Sequence, residues 1–300
     1  MYNERVKNCF ISEATQDNKS RRCLSAFSKT ERYERELEKD LYDFAAYQII
    51  NMYKTMSCEG LGTLYNFHVL LREYVQWCLE HDLVKDGQNH FLEINRKMLS
   101  SYIDDLAVKD SIITREEAVG IYRKIVNPCD AFVLEAAFNG VRGTLLKEIR
   151  ELRVEDIKGN QVSLSTGRIV TVYDEFLILA KRSYEAEEYI GDGKSADLFY
   201  DERHLIYKPT YTIRNFSDAS QQKLIHDRIK RALESVGYGY LSINSFEKSG
   251  KIHFINTKSK EKGLAPVEYV SQYTSEIMNQ YAGSKQRLMA FCQDYKEYLK

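Results

Sequence analysis

Pro128, Pro209 and Pro266 are the only prolines in 300 residues. A proline fixes φ and removes a backbone donor, so a chain this poor in them has few forced helix breaks. A mainly α fold is therefore expected. The segment "TLYNFHVLLREYVQWCLEHDL" sets Leu64, Phe67, Leu71, Val75 and Cys78 on one helical face. His68 and His81 read as core and capping histidines. Upstream, residues 30–56 run from charged to apolar and predict an acidic helical entry into a buried helix. A further helix is predicted over 91–103. "TREE" at 114–117 has the form of a capping box and opens a helix to Val126, which Pro128 ends. Residues 1–110 thus read as a small helical module, with a linker at 109–114 and a larger domain over 111–300.

The second domain starts with the apolar helix "DAFVLEAAFNGV". In "FNGVRGTLLKEIRELRVEDI", residues 138–157, a turn at Asn139-Gly140 leads to a helix with Leu145, Leu146, Ile149 and Leu152 on one face. "QVSLSTGRIVTV" predicts a β-hairpin turning at Thr166-Gly167. A helix over 173–187, a polar glycine loop in "EYIGDGKSADL" and an extended "LIYKPTYTIRNF" follow. Helices are then expected from Asp218 to Val236, from about Asn244 to Gly263, over 266–281 and over 285–299. The last places Leu288, Phe291, Cys292 and Tyr295 on one face, to pack on its own domain or on a second copy.

Net charge is only −1, yet residues 203–262 hold twelve lysines and arginines against five acids, a local charge of +7. Such a cluster attracts polyanions, and phosphate contacts supply affinity without reading sequence. The competing reading is a solvated helix face. Six cysteines without a CxxC pair or a histidine at ligand spacing point to reduced core thiols, with neither metal nor cofactor expected. No apolar run approaches a membrane span and the charged N-terminus is unlike a signal peptide, so a soluble, cytoplasmic protein is expected.

The order of a helical domain, a linker, "NGVRG", "LRVEDI", a hairpin and further helices resembles the tyrosine recombinases, or phage integrases. Gly140, Arg142, Glu148, Leu152, Arg153, Asp156 and Ile157 match that family's pattern, with the spacing from Arg142 to Leu152 about two residues longer than its norm. The resemblance implies a SAM-like core-binding domain followed by a catalytic-like domain, with Arg142 at the scissile phosphate. It also implies a second arginine in a His-x-x-Arg, a hairpin lysine and a tyrosine nucleophile. The hairpin tip instead carries Arg168, with Lys158 before the first strand, and the His-x-x-Arg positions fall on Ser245 and Lys248 or on Ser249 and Ile252. "YVSQYTSE" supplies neither histidine nor tryptophan, and Tyr281 stands near the nucleophile's place, although Tyr269 or Tyr273 can be matched to it almost as easily. Groups that act as a unit lose many powers of ten in rate when several are missing, so an inactive domain is expected.

"NGVRGTLLKEI", together with "FEKSGKIHFINTKSKEKG", is similar to the MrpR-type lytic-cycle repressors of SPβ-like prophages. That resemblance implies a phage-derived repressor in a bacterial cytoplasm, clamping operator duplex DNA to maintain lysogeny without cutting it. Arg142, Lys208, Arg214, Lys248, Lys251 and Lys258 are the candidate DNA contacts, and a homo-oligomer through the C-terminal helix is a further expected partner. Arg142 has two readings, a phosphate contact or an ion pair within the fold. The alternatives are an active integrase using Tyr281 and a scaffold whose basic segment meets an acidic protein.

Overall fold

The computed structural model describes residues 1–14, 17–56, 61–102, 111–191, 194–199, 202–210 and 216–300. It divides into the units Met1–Lys109 and Asp110–Lys300, each with its own core. Lys109 and Asp110 of the expected linker lie outside the described residues, while Thr114 caps the first helix of the second unit.

The first unit is helical: α1 (Glu4–Ala14), α2 (Asp17–Leu37), α3 (Ala46–Thr55), α4 (Leu61–Glu80) and the short α5 (Arg96–Ser100). Cys23, Phe27, Thr30 and Glu34 recur at helical spacing and form the buried face of α2. Phe10, Phe27 and Tyr74 meet edge-on at 4.9–6.2 Å between ring centroids, a geometry set by the ring quadrupoles. Lys7 and Glu34 are fully buried beside them at 2.5 and 2.6 Å, and Thr30 Oγ1 donates to the same carboxylate. On α4 the buried stripe is Leu64, His68, Leu71, Val75 and Cys78, so His68 takes the central place expected of Phe67. The helix expected over 91–103 is broken: a 3-10 turn at His90–Glu93 precedes α5, whose N-cap Asn95 bonds Met98 N.

The second unit is built around α7 (Pro128–Phe138), which follows α6 (Arg115–Tyr122). Every residue from Cys129 to Phe138 is buried, as an all-round apolar helix requires. The expected capping box on α6 is present, with Thr114 Oγ1 accepting from Glu117 N and Glu117 accepting from Thr114 N. Arg115 bonds Glu135 at 2.5 and 2.8 Å while its guanidinium lies over the rings of Phe138 and Tyr173. The hairpin joins a three-stranded antiparallel meander, β1 (Ile157–Lys158), β2 (Gln161–Ser163) and β3 (Ile169–Thr171). Val162 faces Val170 in register, and both are buried.

Between 142 and 157 the helix is much shorter than its apolar spacing predicts. Leu145 and Leu146 are left-handed, with φ of 55° and 58°, and α8 spans only Lys147–Glu151. After α9 (Asp174–Glu185), "EYIGDGKSADL" is a second hairpin rather than a loop. Here β4 (Glu188–Gly191) pairs with β5 (Lys194–Asp197). In "LIYKPTYTIRNF" Leu205 and Thr210 form isolated β-bridges, with residues 211–215 outside the described set. Then come α10 (Asp218–Ser235), α11 (Ile243–Lys262), α12 (Pro266–Gln272), α13 (Thr274–Tyr281) and α14 (Lys285–Asp294). The single helix expected over 266–281 is thus two, broken at Tyr273. The apolar face of α14 packs within its own unit: Leu288 joins the Tyr269–Tyr281 core, with Phe291 and Cys292 against it.

A Cβ at Gly250 would overlap the Phe138 carbonyl oxygen, whereas one at Gly120 on α6 meets nothing within 4 Å. Gly250→Ala should therefore destabilise by about 1–3 kcal/mol or more, and Gly120→Ala should stabilise by about 0.5–1 kcal/mol, read from urea unfolding. Burial, and secondarily Arg72, lowers the pKa of His68 from 6.5 to about 4, with Tyr53 Oη 3.0 Å from its Nδ1. The unfolded chain takes up this proton near pH 6.5 and the native one only near 4. His68 should thus remove on the order of 3 kcal/mol of stability as pH falls through that window. Urea midpoints measured against pH should fall less steeply there for His68→Asn than for the wild type.

Candidate functional site

Arg142 follows a helix end whose backbone is fully determined. Gly140 N donates to Ala137 O at 3.0 Å and Val141 N to Ala136 O at 2.8 Å, the paired bonds of a Schellman motif with left-handed Gly140 just beyond the cap. A Cβ at Gly140 would overlap Gln280 O. Asn139 fixes the same turn: its Nδ2 donates to Glu135, its Oδ1 accepts from Tyr173 N, and its carbonyl accepts from Gln280 Nε2 at 2.7 Å.

Glu148, Thr166 and Arg168 close the turn from the hairpin side. The buried Glu148 carboxylate accepts from Arg142 N at 2.9 Å, Thr166 Oγ1 at 2.5 Å and Arg168 Nη2 at 2.6 Å. Arg168 also donates to the carbonyls of Asn279, Gln280 and Gly140. The arginine at the hairpin tip is thus spent on protein acceptors.

The Arg142 guanidinium is paired with Glu247 of α11 through Nη1 and Oε2, at side-chain exposures of 26% and 21%. Of the two readings of Arg142, the ion pair is the one observed, and Glu247 is the partner that sequence reasoning missed. His226 on α10 and Lys251 on α11 border the pair. Burial, then the Arg142 charge, lowers the pKa of His226. The Lys251 pKa is lowered by burial, partly offset by Glu247, and its Nζ lies 4.8 Å from the Phe291 ring centroid and 5.5 Å from that of Tyr281.

The other candidate contacts do not converge on this point. Lys208 is 5% exposed, with Nζ 5.5 Å from the Tyr184 ring centroid, and burial lowers its pKa. Lys208 is thus an enclosed lysine beside an aromatic ring. Arg214 lies outside the described residues. Lys248 Nζ sits 5.5 Å from the Tyr295 ring centroid, and Lys258, farther along α11, pairs with Glu261 at 2.7 Å. Arg228, counted in the basic cluster, is buried against Asp130 and Tyr189. The cluster is therefore less of a continuous face than its charge implies.

Tyr281 is 3% exposed and donates from its hydroxyl to Phe138 O at 2.8 Å. Burial, and then nearby tyrosine and carboxylate charges, pushes its pKa well above the ordinary phenol value. Among the described residues no group of three or more His, Cys, Asp or Glu side chains is placed to hold a metal ion. No helix among them is long and apolar enough to cross a membrane.

Residues 112–299 match the family model of the MrpR C-terminal catalytic domain, and residues 1–80 that of the MrpR N-terminal core-binding domain. The chain belongs to the MrpR family. A relative within reach is the SPbeta prophage-derived uncharacterized protein YopR of Bacillus subtilis (strain 168), 23% identical over 98% of this chain and 94% of YopR. Lambda integrase (75–356), solved as a dimer bound to a COC′ core site, aligns with TM-score 0.50 at 12% identity, over 98% of this chain and 94% of that one. The Tn1549 transposon integrase, in complex with transposon right end DNA, aligns at TM-score 0.47 and 14% identity, over 97% and 93%. The family match and the lambda integrase alignment give the MrpR-family chain an integrase-like fold of core-binding and catalytic domains, mostly helical with small antiparallel sheets.

Removing the clamp beneath the site should be costly. Arg168→Met leaves Glu148 buried with an uncompensated charge, so stability should fall by about 3–5 kcal/mol in urea unfolding, while a Glu148→Gln/Arg168→Met double variant recovers part of the loss.

Proposed function

We propose that this MrpR-family protein is a phage-derived, sequence-specific repressor that binds operator duplex DNA to maintain lysogeny and does not cleave it. The observation that carries this reading is a pair of occupied groups where strand cleavage would need free ones, the Tyr281 hydroxyl and the hairpin-tip Arg168. Tyr281 donates a hydrogen bond from its hydroxyl to a backbone carbonyl inside the core. A nucleophilic tyrosine must reach a phosphorus atom with its oxygen exposed, and an oxyanion clamp needs unspent donors. Arg168 is likewise committed to Glu148 and three carbonyls.

DNA is favoured over an acidic protein by the recombinase fold, which lambda integrase uses on its core site. In this reading Arg142, Lys248, Lys251 and Lys258 contribute phosphate contacts or field, with Arg214 kept as a further candidate. A homo-oligomer through α14 would have to use its outward side, where Met289 is 39% exposed, because the apolar face is already covered.

The test has two parts. Affinity for duplex DNA, measured by fluorescence anisotropy, should fall tenfold or more between roughly 50 and 200 mM salt. Nicked suicide substrates should trap no covalent protein–DNA adduct. An adduct that disappears in Tyr281→Phe would instead establish an active integrase, and absence of binding even at low salt would favour the protein scaffold.

A further inference from the structure

The two arginine–carboxylate pairs around the 138–148 turn differ in how firmly the acid is held. Glu148 is buried and accepts from a backbone amide, a hydroxyl and a guanidinium, so its lone pairs are fully used. Glu247 is about one-fifth exposed, and Arg142 is its single hydrogen-bond partner among the described residues. The arginine side is the rigid one. Its backbone is set by the Schellman turn and by the bond from its own amide to Glu148. The glutamate, on a flexible stem beside water, is the side that can leave.

Lys251 lies one helical turn beyond Glu247, within the field of both Glu247 and Arg142, and His226 on α10 lies within that of Arg142. With Glu247 turned away, the pocket would hold Arg142 and Lys251 without a counter-charge. We infer that the Arg142 pocket is an anion site occupied by the chain's own Glu247, and that a DNA phosphodiester engages Arg142 by displacing that carboxylate. The inference rests on the DNA-binding reading above and adds to it a residue that limits affinity. A partly exposed ion pair contributes little net stability, so replacing one anion by another at Arg142 is nearly balanced. Counterion release from DNA then favours the phosphate at low salt. Glu247 thereby acts as an internal competitor, weakening attachment to any duplex and leaving base contacts to decide where the protein stays.

Glu247→Gln keeps the shape and removes the charge. Binding of a fluorescein-labelled mixed-sequence duplex should tighten by on the order of tenfold at low salt, and the salt dependence should steepen by about one phosphate contact, a slope change of roughly 0.9. In an Arg142→Met background the same substitution should give no gain. Three results overturn the inference alone while wild-type binding is intact: affinity unchanged or weaker in Glu247→Gln, a gain that persists without Arg142, or a Glu247→Gln protein that fails to fold, since a displaceable carboxylate must be dispensable to the core. Failure of the wild-type protein to bind duplex DNA at low salt overturns the DNA-binding reading, and this inference with it.

Discussion

The Phe138 carbonyl is the point on which the second unit closes. A helix's last carbonyls have no intrahelical partner and must be satisfied from outside. Here the Tyr281 hydroxyl donates to Phe138 O at 2.8 Å, and α11 comes so near that only glycine fits at position 250. The same closeness leaves no room for a side chain at Gly140 beneath Gln280. Three elements far apart in sequence, α7, α11 and α13, are thereby held at one turn. The backbone of Arg142 inherits its position from them.

This arrangement separates the arginines by what they do. Arg115, Arg168 and Arg228 are tied to the buried acids Glu135, Glu148 and Asp130, and their charges are consumed in holding helices and the hairpin together. Breaking such pairs is costly, although forming them returns little over an apolar core. Arg142 alone of these four shares its acid with solvent. The same turn thus carries a structural clamp on its inner side and an exchangeable pair on its outer side.

Much of the architecture was legible in the sequence because it rests on periodicity and punctuation. The stripe on α4, the capping box of α6, the apolar α7, the Gly167 hairpin and the motif matches around Arg142 all have local causes, and the MrpR and recombinase resemblance followed from them. What escaped depends on contacts across long sequence separations. Leu145 and Leu146 have an apolar spacing suited to helix, yet tertiary bonds to Glu148 hold the turn left-handed where non-glycine residues are disfavoured. "EYIGDGKSADL" looks polar on every side because β4 and β5 form an exposed ribbon with almost no buried face to mark it. Charge counting placed Lys208 at the surface, whereas packing beside Tyr184 buries it. Glu247 was invisible as a partner because nothing within its own helix shows that Arg142, 105 residues earlier, comes to meet it.

Among the described residues, the first unit's aromatic cluster around Phe10, Phe27 and Tyr74 and the apolar mass around α7 are separate cores. Each has its own weak point, protonation at an imidazole in one and the clearance beside a carbonyl in the other. Two-state bookkeeping belongs to single domains, so a stability assigned to a substitution in this chain has meaning first for the core that contains it.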